Sequence, residues 1–288
     1  MGRRGHVLAL SALVGLATVC GAAAEPLQLV VNGQTRAYLL ERSAAPGPRP
    51  TIVMLHWAGG SAAREMQWSR LAEFAPHGFV PVFPDGRGGR WNFHPPGKET
   101  AVDLQFFQQH GGLPDDVAFL KQLVADLVRR GVSDPRRVYL AGRSLGGVMT
   151  LRLACLHAEM FAAIGLFISA MPEVNGADCR PARPLPALVL SGTGDHGLPY
   201  AGGRSIRGDM VWGAERLVAF LRELNGCAEP AQSSTLWNSQ PQRIEVEFSA
   251  KCRGGPVAFY RVVGGGHEVP PVLNAGEMLV DFFRDKVR

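Results

Sequence analysis

Beyond its first two dozen residues the chain has no run long and apolar enough to span a membrane, no internal repeat and no cluster of basic residues. These absences argue against a membrane-embedded protein, a solenoid and a nucleic-acid-binding surface. The formal net charge is +5 over 288 residues and falls to about +3 without Arg3 and Arg4; the other basic side chains are scattered. No two cysteines lie close together and no histidine pair sits at ligand spacing, so no zinc site is indicated. No separate carbohydrate-binding or polymer-binding module is visible.

What is present begins with a leader. Arg3 and Arg4 form a basic start, Val7 to Val19 an apolar stretch, and Ala22-Ala23-Ala24 a small-residue cleavage site, the pattern of an export signal over residues 1–24. Residues 25–288 are expected to form one mature domain outside the cytoplasm, secreted or periplasmic. About 264 residues suffice for one α/β domain with a well-buried core. Cys155, Cys179, Cys227 and Cys252 remain in it, and an even count in an exported chain favours disulfides. Of three pairings, Cys155 with Cys179 and Cys227 with Cys252 each close a moderate loop around one supersecondary unit.

Leu27 to Glu41 reads as a hairpin turning at Asn32-Gly33. Thr51 to Leu55 is a continuous apolar run, as in a strand covered on both faces. A helix is expected from Ala62 to Phe74, a strand from Phe79 to Phe83, then a long loop from Pro84 to Gly112. Asp115 and Asp116 cap a helix carrying Leu120, Leu123, Val124, Leu127 and Val128 at helical spacing. Further strands are expected at Val138 to Ala141, Phe161 to Ile168, Pro186 to Leu190 and Val257 to Val263, and helices at Met210 to Asn225 and Val272 to Phe283. The polar stretch Ala231 to Arg253 interrupts this alternation and reads as an inserted hairpin tied by Cys227 and Cys252. Alternation elsewhere predicts an α/β fold: a mostly parallel sheet, helices on both faces, and chemistry at the C-terminal strand ends.

One such end carries Gly142-Arg143-Ser144-Leu145-Gly146, between an apolar strand and a run of helix formers. This is the setting of a nucleophile elbow. In so sharp a turn only glycine fits two positions either side of the serine. A serine hydroxyl is a weak nucleophile at neutral pH and needs a histidine base oriented by an acid. Asp195 and His267 follow in that order, each just past a predicted strand. His196 adjoins Asp195 too closely to serve as its base, and His94 in the long loop is a candidate for substrate contact. The Leu145 amide, together with that of Trp57 or Ala58 after the Thr51 to Leu55 strand, is positioned to hold an oxyanion. His56 then reads as structural. Trp57, Trp91 and Phe93 are candidates for an apolar pocket. Arg143 either pairs with a buried carboxylate or favours an anionic group on the substrate.

Beyond single motifs, an ordered series runs through nearly all of the mature chain. It comprises Leu55-His56 with Gly59-Gly60-Ser61, Pro84-Asp85-Gly86 with Trp91-Asn92, and Asp115-Asp116-Val117 with Phe119-Leu120. Asp134-Pro135-Arg136-Arg137-Val138-Tyr139 then runs into the Ser144 motif, followed by Gly192-Thr193 with Asp195, Pro199-Tyr200, Asn225-Gly226-Cys227 and Gly265-Gly266-His267. In these the chain resembles the secreted α/β-hydrolase esterases that include polyhydroxybutyrate depolymerases and feruloyl esterases. The resemblance implies an α/β-hydrolase fold, a Ser144–His267–Asp195 triad, and hydrolysis of carboxyl esters without a cofactor. Trp57 stands where that family usually has glycine, and Arg143 and Leu145 also depart from it, so the substrate is not carried over from any member. Acyl transfer on the same fold and a non-catalytic binding protein are the alternatives; acceptor alcohols would distinguish the first, and a fluorophosphonate probe the second.

Overall fold

The computed structural model describes residues 24–43, 45–228, 231–239 and 242–288. The expected leader therefore lies outside the described residues, apart from Ala24. Strands β1 (Glu25–Val31) and β2 (Gln34–Leu40) form the expected hairpin. Asn32 and Gly33 both take positive φ, as a two-residue turn matched to strand twist requires.

The other strands of the main sheet are β3 (Arg49–Leu55), β4 (Val80–Pro84), β5 (Ser133–Arg143), β6 (Ala163–Phe167), β7 (Ala187–Gly192), β10 (Gln232–Ser239), β11 (Gln242–Ser249) and β12 (Val257–Val263). The short β8 (Gly202–Arg204) and β9 (Met210–Trp212) pair apart from it. The main sheet runs β1-β2-β4-β3-β5-β6-β7-β12-β11-β10. Neighbours from β4 through β12 are parallel, whereas both margins are antiparallel.

Period-two alternation splits each central strand between two apolar layers. Val53, Leu55, Leu140 and Val189 face one layer, beneath helices α3 (Asp116–Arg129), α4 (Leu145–His157) and α6 (Ala214–Leu224). Ile52, Met54, Tyr139 and Leu190 face the other, against α1 (Ala62–Ser69) and α7 (Ala275–Phe283). This is the mostly parallel α/β sheet that the alternation predicts, in the α/β-hydrolase architecture that the resemblance implies. The chain leaves β3 toward one margin and β5 toward the other, so their C-terminal ends flank a topological switch point, where open α/β sheets bind ligands.

Three expectations need correction. The first long helix stops at Ser69, because Arg70 takes a left-handed φ of 57° and a 3-10 turn over 71–74 follows. Gly276 packs there so closely that a Cβ on it would lie 2.6 Å from the Ser69 carbonyl oxygen. The long loop contains α2 (Ala101–Gln109), capped by Thr100; Val102 and Leu104 are exposed on it, so it lacks a clear apolar stripe. Met210 to Trp212 is strand rather than helix: Pro172, just before the short α5 (Glu173–Gly176), bridges Val211, and Trp212 Nε1 donates to Glu173 Oε2. The hairpin 232–249 joins the main sheet by pairing β11 with β12, while Cys227–Cys252 ties its base and Cys155–Cys179 links the end of α4 to a later loop. Among the described residues no helix is long and apolar enough to cross a membrane.

Candidate active site

Ser144 sits between β5 and α4 with φ 53° and ψ −119°, a conformation costly for any residue with a side chain. Its surroundings enforce it. Added to Gly142, a Cβ would lie 2.3 Å from the Gly146 carbonyl carbon, and on Gly146 it would lie 2.1 Å from the Leu55 carbonyl oxygen. The Ser144 amide donates to Phe167 O, and Ser169 Oγ donates to Ser144 O. Strand and helix thus cross at a separation that only glycines permit, and the hydroxyl is lifted above the sheet.

The loops after β7 and β12 meet it there. Ser144 Oγ is 2.8 Å from His267 Nε2, and His267 Nδ1 is 2.7 Å from Asp195 Oδ2. A carboxylate only accepts, so Nδ1 carries the ring proton and Nε2 offers its lone pair to the serine hydroxyl. Asp195 is buried, and its Oδ1 accepts from the amides of Gly197 (2.7 Å) and Leu198 (2.9 Å). Those two bonds hold the carboxylate for His267. His196 is exposed on the same loop.

Leu145 is the first residue of α4, where an amide has no intrahelical acceptor. The loop after β3 is anchored beyond Trp57 and Ala58, by Gly59 N to Gly89 O and Gly60 N to Trp57 O. Neither the Trp57 nor the Ala58 amide donates to a backbone acceptor among the described residues. His56 braces this loop from below. Its Nδ1 donates to Trp57 O (2.7 Å), its Nε2 accepts from Gly86 N (2.9 Å), and burial lowers its pKa, keeping the ring neutral.

A cleft of about 440 Å³ opens at Ser144, lined by Trp57, Trp68, Arg143, Ile168, His267, Glu268 and Val269. Trp91 and Phe93 do not line it, which corrects their assignment to the pocket. Trp91 is 1% exposed and donates from Nε1 to His56 O, propping the β3 loop from the core, while Phe93 is 2% exposed and packs on His94. His94 is itself buried against Asp209 and Asp103, away from the cleft.

Arg143 does line the cleft. Its Cζ lies 3.7 Å from the Trp57 ring centroid and 3.9 Å from that of Trp68, and its Nε is 3.7 Å from Glu65 Oε2. Glu65 is fully buried with neither carboxyl oxygen hydrogen-bonded, and burial outweighs the pull of Arg143, raising its pKa to about 8. Trp68 and Glu65 went unnoticed in the sequence. The available signal was the i, i+3, i+7 spacing of Ala62, Glu65 and Ser69, which puts a carboxylate on the buried stripe of α1. Among the described residues no group of three or more His, Cys, Asp or Glu side chains is placed to hold a metal ion.

No family model matches the chain. Over 230 residues, 76% of this chain and 39% of the relative, it is 30% identical to feruloyl esterase B of Piromyces equi. A protein named as an esterase in Nocardia uniformis is 34% identical over 181 residues, covering 61% of this chain and 49% of the relative. Feruloyl esterase B of Neurospora crassa is 24% identical over 233 residues, 78% and 76% of the two chains. The chain spans less than half the length of the first two relatives. Among solved structures, an acetyl xylan esterase from Aspergillus awamori superposes with a TM-score of 0.60 at 15% identity, over 90% of this chain and 99% of the other. A thermostable esterase gives 0.61 at 14% identity, over 92% and 63%. The chain has the α/β-hydrolase fold that these solved structures share. In its cleft Arg143 packs against both Trp57 and Trp68.

Proposed function

We propose that the protein is an exported serine carboxyl-ester hydrolase, with Ser144 as nucleophile, His267 as general base and acid, and Asp195 as the residue that orients and charge-balances His267. The observation that carries this reading is the pair of hydrogen bonds running from Ser144 Oγ through His267 to Asp195. His267 Nε2 takes the hydroxyl proton as Oγ attacks the ester carbonyl, and the amides of Leu145 and of Trp57 or Ala58 stabilise the tetrahedral oxyanion. Protonated His267 then passes its proton to the departing alkoxide. Water, deprotonated by His267, cleaves the acyl-enzyme and regenerates Ser144. Named feruloyl esterase relatives support aromatic or polysaccharide-borne acyl esters as the substrate class, with polyhydroxyalkanoate esters compatible with the same chemistry. Two disulfides support a site of action outside the cytoplasm, and the Arg3-Arg4 leader supports export.

Ser144→Ala should abolish turnover of 4-nitrophenyl acetate and butyrate and labelling by a fluorophosphonate probe, with an unchanged circular dichroism spectrum. Retained turnover would refute the assignment. Comparing kcat/KM for methyl ferulate, 3-hydroxybutyrate oligomers and acetylated xylo-oligosaccharides tests the substrate class.

A further inference from the structure

Arg143 holds a cation at the wall of the cleft, next in sequence to Ser144, in a setting that does not use its hydrogen-bonding capacity. The Arg143 Cζ lies over two indole rings, 3.7 Å from the Trp57 centroid and 3.9 Å from that of Trp68. Ring contacts of this kind leave the N–H groups without oxygen acceptors, and a guanidinium can grip a carboxylate with two parallel bonds. Nε is buried without a hydrogen-bond partner, and among the described residues the guanidinium makes no hydrogen bond within the usual distance. The side chain keeps 15% of its surface exposed and lines the cleft.

From this we infer that Arg143 is a specificity-determining residue that recognises a carboxylate on the substrate, so that the preferred ester bears an anionic group close to its scissile carbonyl. The inference rests on the esterase reading of the same cleft and extends it to a substrate class.

Glu65 does not already satisfy this cation. It sits 3.7 Å from Nε and accepts no hydrogen bond, and burial raises its pKa toward the neutral form. Stacking on two indoles holds the cation in place without neutralising it. A carboxylate entering the cleft would therefore meet the accessible end of the guanidinium and supply the missing charge. Glu268 also lines the cleft, but it is exposed, where water and salt weaken its repulsion. Where the anionic group sits relative to the ester is open to two chemistries, an acyl-side or an alcohol-side carboxylate, and matched substrate pairs distinguish them.

The test uses the full mature chain and two such pairs. Monomethyl succinate against methyl 4-methylpentanoate places the carboxylate on the acyl side, and 4-acetoxybenzoate against 4-isopropylphenyl acetate places it on the alcohol side. In the wild type the anionic member of one pair should have a kcat/KM roughly tenfold higher, falling as salt is raised, as expected for a charge-assisted contact. Arg143→Gln should erase that ratio and Arg143→Lys should restore part of it; because the ratio is taken within each variant, a general loss of rate or of folded protein cancels. Anionic and neutral esters turned over equally by the wild type, or a preference that survives Arg143→Gln, overturns the inference while leaving the esterase reading intact. If no ester is turned over, the esterase reading fails, and the same pairs titrated calorimetrically into Ser144→Ala decide the recognition question: tighter binding of an anionic member supports it, and equal affinity overturns it.

Discussion

Replacing Glu65 by glutamine changes one atom of a buried side chain, and its effect on stability should depend strongly on pH. Glu65 is fully buried without a hydrogen-bond partner and its folded pKa is raised from 4.5 to about 8. Between those values the folded state holds a proton that the unfolded state has lost, so stability must fall as pH rises. Each unit of pH in that window removes about 1.4 kcal/mol. The wild type should therefore lose on the order of 3 kcal/mol between pH 4.5 and 7, and roughly 5 kcal/mol by pH 9, where the loss levels off. Glutamine, nearly isosteric with the protonated acid, avoids this. Urea unfolding of both proteins at pH 5, 7 and 9 should give nearly equal stabilities at pH 5 and a growing advantage for Glu65→Gln above it. A difference that stays constant from pH 5 to 9 would refute the reasoning, because it would mean that Glu65 is ionised in the folded protein throughout, held by Arg143.

Asp195→Asn should keep the position of His267 but favour the wrong ring tautomer, lowering kcat for 4-nitrophenyl butyrate by about 10⁴-fold with little change in KM. Gly146→Ala drives a methyl against the Leu55 carbonyl oxygen and should lower stability in urea by about 3 kcal/mol or prevent folding, whereas Gly266→Ala, which meets nothing within 4 Å, should be nearly neutral. Replacing Cys227 and Cys252 by serine opens a loop with a sequence separation of 25 and should cost about 3 kcal/mol, measured by thermal or urea unfolding.

How much could be read without coordinates varied along the chain. Strands buried on both faces announce themselves as apolar runs, and Asn32-Gly33 announces its turn because few residues accept positive φ in succession. Helix α2 stayed hidden because its apolar residues face solvent as much as core, so its pattern has no clear period. Trp212 looked like part of an amphipathic helix because its spacing from Phe220 fits one; in the fold it approaches Phe220 from a short strand instead, with ring centroids 5.5 Å apart. Trp91 and Phe93 show the limit most plainly. An aromatic side chain in a glycine-rich loop reads alike whether it faces a ligand or the core, and here both are buried.

The amino-acid order by itself determined the alternating α/β pattern, the strand-glycine-serine-glycine-helix junction at Ser144, and the sequence of Ser144, Asp195 and His267 at three strand ends, since these depend on local periodicity and on backbone conformations that only certain residues tolerate. Only the tertiary structure decided which strand ends meet, bringing Ser144, His267 and Asp195 within hydrogen-bonding distance, and what surrounds Arg143. Its partners come from the loop after β3 and from α1, both far from Arg143 in the chain. Whether that charge is balanced, buried or open to a ligand is set by the packing of distant side chains, and no local pattern in the sequence encodes it.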